Sequence, residues 1–337
     1  MQTKNYFSLL LLFLSITLTA QVSDMSSSTD NDPSKNSKFL KINNNIYLAQ
    51  SDGGNMGVYF GKDDIFMVDS QTFSNVDNNL KIIKRISKKP IKYLVNTSFH
   101  PDHNGGNKKV AKEGALIISH ENTRNKINKL RRSDSKKISS GLSMADITFS
   151  KNMTIYFNNE KVEIIPVGNS KSNGDVMVFF TKSNVLFTGD IFYSKNKYPL
   201  IDINNGRSAE AMLSGLNTIL KTSNATTKII PGHGDAANTN EVNASINMLT
   251  AVFKRVLSLR ENGKTIDEVL QSKSSITGRF DNNGFGSGEI KSDDFIRSIY
   301  SEIEKNKGPL DTRSPQEKAN ARLKEIQKEN ASKKDKN

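Results

Sequence analysis

Apolar residues fall along this chain in two rhythms. The runs Ile46-Tyr-Leu48, Met56–Phe60 and Asp64–Val68 are each bounded by Gly, Asn or Asp, and each predicts a strand. Leu80, Ile82, Ile83 and Ile86 then recur at helical spacing, and Pro90 closes that helix. A strand over Ile91–Val95 follows, and another over Ala115–Ile118 leads into a helix near Glu121–Leu130. A second block of strands runs from Met153 to Phe187, broken at Asn158-Asn159 and again around Gly168–Gly174. Helical spacing returns at Met212, Leu213, Leu216, Ile219 and Leu220. A strand over Thr227–Ile230 precedes a long helix with Val242, Ile246, Leu249, Phe253 and Val256 on one face, ended by Gly263. Two blocks of strands, each followed by helices, predict a sheet-on-sheet core with helices outside.

The two ends stand apart from this pattern. Lys4, an apolar run from Tyr6 to Leu18 and then Thr19-Ala20 have the order of a secretory signal peptide, so residues 1–20 are read as one. The run is shorter than the roughly 20 residues that span a bilayer, so no membrane span is expected in the mature chain. Residues 21–37, rich in Ser, Asp and Asn, read as a disordered linker. The folded domain is set at 38–305, and 306–337 form a basic helical tail that opens with the capping box Ser314-Pro-Gln-Glu317. The chain has no cysteine, hence no disulfide for an oxidising compartment, and a periplasmic or secreted location is expected. From Lys305 onward ten Lys/Arg face five Asp/Glu, which accounts for part of the formal charge of +13. No aromatic–basic pattern accompanies that charge, so it reads as a solvated surface and nucleic acid is not an expected partner.

The chemistry gathers at three places. Ser98-Phe-His100-Pro-Asp102-His103-Asn-Gly-Gly106 follows a predicted strand. It holds two of the four histidines in the chain beside a carboxylate, the donor types that zinc takes. Gly189-Asp190 closes the apolar run Val185–Phe187, and Gly232-His233-Gly234 closes Thr227–Ile230, so both side chains are presented at strand ends. Asp69, at the end of another strand, reads either as a carboxylate orienting a ligand or as a turn former. His120 stands at a strand-to-helix junction and is read as capping or packing. Tyr193 and Tyr198 are read as pocket lining or core.

From about Ile46 to Tyr300 the chain resembles the metallo-β-lactamase superfamily, and is most similar to its secreted hydrolase branch. Val95–Asn107 matches the main metal motif except that Ser98 replaces the first histidine. Val185–Asp190 matches the strand of the bridging aspartate, and Ile229–Gly234 the last histidine motif. The resemblance implies an α+β, αββα sandwich of two mixed sheets flanked by helices. Glu163–Asp175 aligns to the family's His-Thr-x-Gly-Asp loop with Lys171 in the place of a histidine. The first metal site thus keeps only His100. The second is complete with Asp102, His103, Asp190 and His233.

These residues lead to the expectation of an exported hydrolase that acts on a small-molecule substrate, an ester, lactone, thioester or amide, with one divalent metal at the second site. Zinc is the expected ion, and the donor set also suits iron or manganese. His100 is assigned as general base and Lys171 as oxyanion stabiliser or base. The alternative is a catalytically inactive protein of the same fold that binds a metal or ligand. The sequence does not specify the substrate or the oligomeric state.

Overall fold

The computed structural model describes residues 37–51, 53–132, 143–167, 174–205 and 207–307. The residues read as signal peptide, all but the last residue of the linker, Lys171 and most of the tail lie outside it. Ser37, counted in the linker, is buried and donates to Gln71 Oε1 at 3.0 Å.

The first sheet has seven strands in chain order: β1 (Lys38–Lys41), β2 (Ile46–Ser51), β3 (Gly54–Phe60), β4 (Ile65–Val68), β5 (Ile91–Val95), β6 (Leu116–His120) and β7 (Ile147–Phe149). Pairing is antiparallel from β1 to β4 and parallel from β4 to β7. The second sheet has five, β8 (Met153–Phe157), β9 (Glu160–Pro166), β10 (Val176–Phe180), β11 (Val185–Tyr193) and β12 (Lys228–His233), with only β11 and β12 parallel. The β8–β9 turn is Asn158-Asn159, with φ of 48° and 65°. Asparagine tolerates the positive φ that a two-residue hairpin demands at both places.

Among the described residues ten helices accompany the sheets: α1 (Val76–Ile86), α2 (Pro101–Asn104), α3 (Asn107–Lys112), α4 (Glu121–Arg132), α5 (Ala209–Thr222), α6 (Thr239–Glu261), α7 (Ile266–Gln271), α8 (Lys273–Ile276), α9 (Gly278–Asp281) and α10 (Ser292–Lys307). Strands buried on both faces divide their side chains between layers. On β4, Phe66 and Val68 join the core between the sheets, while Ile65 and Met67 join the layer with Val76, Leu80 and Ile83 of α1. On β10, Val176, Val178 and Phe180 point inward, and Met177 joins a layer with Leu216 of α5, Leu249 of α6 and Phe295 of α10. The inner core is aromatic: Phe66 meets Phe157 and Phe180 edge-on at 5.5 Å in each case. This is the α+β, αββα arrangement of two mixed sheets flanked by helices.

The helices depart from expectation in two places. α6 buries Val242, Met248, Leu249, Val252 and Val256, whereas Ile246 and Phe253 sit half-covered, because the helix is gripped by α5 on one flank and α10 on the other. The helices α7 to α10 answer to no element named from the sequence.

Candidate metal centre

The site sits where both sheets end. The turn after β5 passes into α2, a four-residue helix with Pro101 at its first position, and α2 carries Asp102 and His103. The loop is held from beneath by amides: Asn96 and Asn107 exchange side-chain hydrogen bonds of 3.0 and 2.7 Å, and Ser70 Oγ donates to Asn107 Oδ1 at 2.9 Å. Gly106 is required here for closeness rather than for a turn. Its φ is −87°, but a Cβ would lie 2.5 Å from the Ser70 carbonyl oxygen. Asp190 stands on β11 in a stretch of shifted register opposite β12, and His233 ends β12. Gly232 lets these two strands close, since a Cβ there would collide with the Asp190 carboxylate.

The four residues named from the sequence as metal ligands come together: Asp102, His103, Asp190 and His233 offer donor atoms within 4.8 Å of one another. His103 Nε2 lies 3.0 Å from Asp190 Oδ1 and 3.7 Å from Asp102 Oδ2. His233 Nε2 lies 2.9 Å from Asp102 Oδ2 and 3.5 Å from Asp190 Oδ1. Neighbouring N and O donors in a tetrahedral shell at zinc distances lie about 3.4 Å apart, and these four separations fall on either side of that value. The donor set therefore fits one divalent cation. Behind it, Asp69 Oδ2 faces His103 Nδ1 at 2.8 Å, while Asp69 accepts from Thr97 N at 2.7 Å and Thr97 Oγ1 at 2.6 Å. With Nδ1–H donated to Asp69, the Nε2 lone pair points at the cluster. Asp69 thus orients a histidine and also ends its strand in the left-handed region, with φ 63°.

The electrostatics follow from burial against pairing. Burial opposes a charge on His103, but Asp190, Asp69 and Asp102 outweigh it and hold its pKa well above the usual imidazole value. Burial likewise opposes ionised Asp190, yet His103 and Arg207 hold its carboxyl well below the usual range. The Tyr193 hydroxyl is pushed up by burial and by Asp190, and its ring stacks on His233 at 6.0 Å.

The other assigned residues fare differently. His100 lies outside the four-residue cluster and lines a cavity of about 220 Å³ beside it, together with Asp102, Asp190, Tyr193, Arg207 and His233. Its pKa is lowered by burial and by Arg207. Lys171 lies outside the described residues. Ser98 is fully buried, its Oγ has no hydrogen-bond partner and it does not line the cavity. His120 accepts from Asn122 N at 3.1 Å and packs on Phe149, so it caps and packs. Tyr198 both lines the cavity and stacks on Phe295 at 4.6 Å.

Sequence reasoning passed over Arg207. It is buried, and its Nη2 lies 3.2 Å from Asp190 Oδ2 and 3.3 Å from Asp175 Oδ2. No local pattern marks it, since its partners stand far off in the chain.

The metallo-beta-lactamase superfamily model matches residues 50–233, and the chain belongs to that superfamily. Among solved structures it is similar to a metallo-beta-lactamase from Pontibacter korlensis, at 16% identity over 64% of this chain and 99% of that one, with a TM-score of 0.54. It is similar as well to the DIM-1 metallo-beta-lactamase, at 18% identity over 64% of this chain and 97% of that one, with a TM-score of 0.54. At these identities the likeness is one of fold. The family match stops at His233, and Glu289 and Ile290, which line the cavity beyond it, belong to a part that the match does not cover.

Proposed function

We propose that this chain is an exported hydrolase of a small ester, lactone, thioester or amide, working with one divalent cation, zinc by donor type, held by Asp102, His103, Asp190 and His233. The observation that carries the reading is the set of four donors within 4.8 Å of one another, with Asp69 behind His103. When bound, such a cation supplies Lewis acidity, polarising an acyl carbonyl and acidifying water. The chain supplies the rest. His100, which lines the cavity, takes a proton from the attacking water in this reading. Lys171 keeps the role of oxyanion partner that its position in the motif suggests. A cavity of about 220 Å³, with Leu200, Tyr198 and Ile290 among its lining, suits a small acyl compound. Export rests on the apolar run that begins at Tyr6.

A second reading, a non-catalytic protein that binds a metal or ligand, is favoured by one observation: Arg207 already neutralises one oxygen of Asp190. Metal content per chain of the mature protein, read by plasma mass spectrometry beside His233→Ala, separates the two. About one equivalent, lost in the variant, is expected, followed by turnover in a screen of esters, lactones, thioesters and amides. No metal from zinc-replete medium would overturn the hydrolase. One equivalent without turnover on any of these substrates favours the second reading.

A further inference from the structure

The two oxygens of Asp190 serve different partners. Oδ1 faces the imidazoles of the cluster, His103 Nε2 at 3.0 Å and His233 Nε2 at 3.5 Å. Oδ2 faces Arg207 Nη2 at 3.2 Å, and the same nitrogen reaches Asp175 Oδ2 at 3.3 Å. All three side chains are at least nine-tenths buried, so this ion pair is not a surface accident. The backbone fixes the guanidinium as well. Arg207 and Asp202 exchange both amide–carbonyl hydrogen bonds at 2.8 Å, immediately before Ser208 caps α5.

One way a carboxylate bridges two metal ions is to give one oxygen to each. Here the oxygen left over for a first ion is occupied by a guanidinium, and His100, the one imidazole left to that site, lines the same cavity as Arg207. We infer that Arg207 is an internal replacement for the first metal ion: it neutralises Asp190 Oδ2 and Asp175, and thereby limits the centre to a single divalent cation. A second cation at Oδ2 would share one oxygen with a fixed positive charge and be repelled by it. Restoring histidines at positions 98 and 171 would leave that obstacle in place. Removing the guanidinium frees Asp190 Oδ2 and Asp175 Oδ2, both within 3.3 Å of its Nη2, with His100 on the wall of the same cavity: two carboxylates and an imidazole, donor types for a divalent cation.

The inference rests on the one-metal reading, and the experiment separates the two. Zinc equivalents are counted by mass spectrometry after dialysis against zinc for the unmodified protein, Arg207→Ala and Arg207→Ala/His100→Ala. Arg207→Ala is expected to hold one equivalent more than the unmodified protein, and the double variant to lose it again. A folded Arg207→Ala with an unchanged count overturns the inference and leaves the one-metal reading standing. No zinc in the unmodified protein removes that reading, while the difference between variant and parent still reports on Arg207. Should Arg207→Ala not fold by circular dichroism, Arg207→Gln and Arg207→Lys decide. An extra equivalent in the neutral variant alone supports the inference, and equal counts overturn it. A second equivalent on the unmodified protein, lost in His100→Ala, overturns it without any change at Arg207.

Discussion

At Asp69 the backbone turns into the left-handed region, φ 63°, and the carboxylate gathers three contacts: Thr97 N, Thr97 Oγ1 and His103 Nδ1. Asparagine tolerates the same φ, so Asp69→Asn removes the charge with little backbone strain. Asparagine keeps one accepting oxygen, which can hold Thr97 N, and puts an uncharged group against Thr97 Oγ1 and His103 Nδ1. With a neutral partner on Nδ1, His103 is a poorer donor, and zinc affinity should fall about 10- to 100-fold. A competition titration against a chromophoric chelator measures this, and an unchanged Kd would take Asp69 out of the site. Asp102, His103, Asp190 and His233 were legible in the sequence because each lies in a short motif whose spacing is itself the signal. Asp69 was left between two readings, and it does both things. Arg207 was not legible at all. It is one of 48 Lys and Arg residues, and its partner Asp175 lies 32 positions away.

The first turn of α5 is closed by side chains and is buried against α10. Ser208 Oγ accepts from Ala211 N at 3.0 Å, and Glu302 of α10 accepts from Ala209 N at 2.6 Å, closing two of the free amides of the first turn. Burial raises the Glu302 pKa above the usual glutamate value, against the pull of the Ala209 and Glu210 amides. A raised pKa in the folded state means that the fold holds the proton more firmly than the unfolded chain does. The associated stability is complete below the unfolded value and is lost as pH rises through the folded one. Glu302→Gln keeps an accepting oxygen but cannot ionise, so its Tm should gain on the parent's as pH climbs from about 4 to about 7. Parallel Tm curves for the two proteins would contradict this. The same end of the chain shows where elements stop being readable. Strands such as β4 and β10 announce themselves as unbroken apolar runs because both of their faces are covered. The helices α7 to α9 have only four to six residues each, too few for a 3.6-residue period to emerge.

At the scale of the whole molecule the layered architecture was legible from two strand blocks with helices after each, but the consequence of where the site falls was not. Asp102 and His103 follow β5 of the first sheet, and Asp190 and His233 lie on β11 and β12 of the second. A cation held by all four therefore ties together the two halves of the sandwich, and the unfolded chain offers no such set. A ligand that binds only the folded state stabilises it by RT ln(1 + [L]/Kd), about 2.7 kcal/mol at a hundredfold excess over Kd. For a domain of this size each kcal/mol moves Tm by roughly 2–4 °C, so zinc should raise Tm by about 5–10 °C over the chelated protein. Differential scanning calorimetry with zinc and with chelator tests this directly. His233→Ala, lacking one of the four donors, should melt at nearly the same temperature in both solutions. If the unmodified protein also melted alike in both, the two sheets would be held together by their shared aromatic core alone, and the four donors would bind no zinc in the folded state.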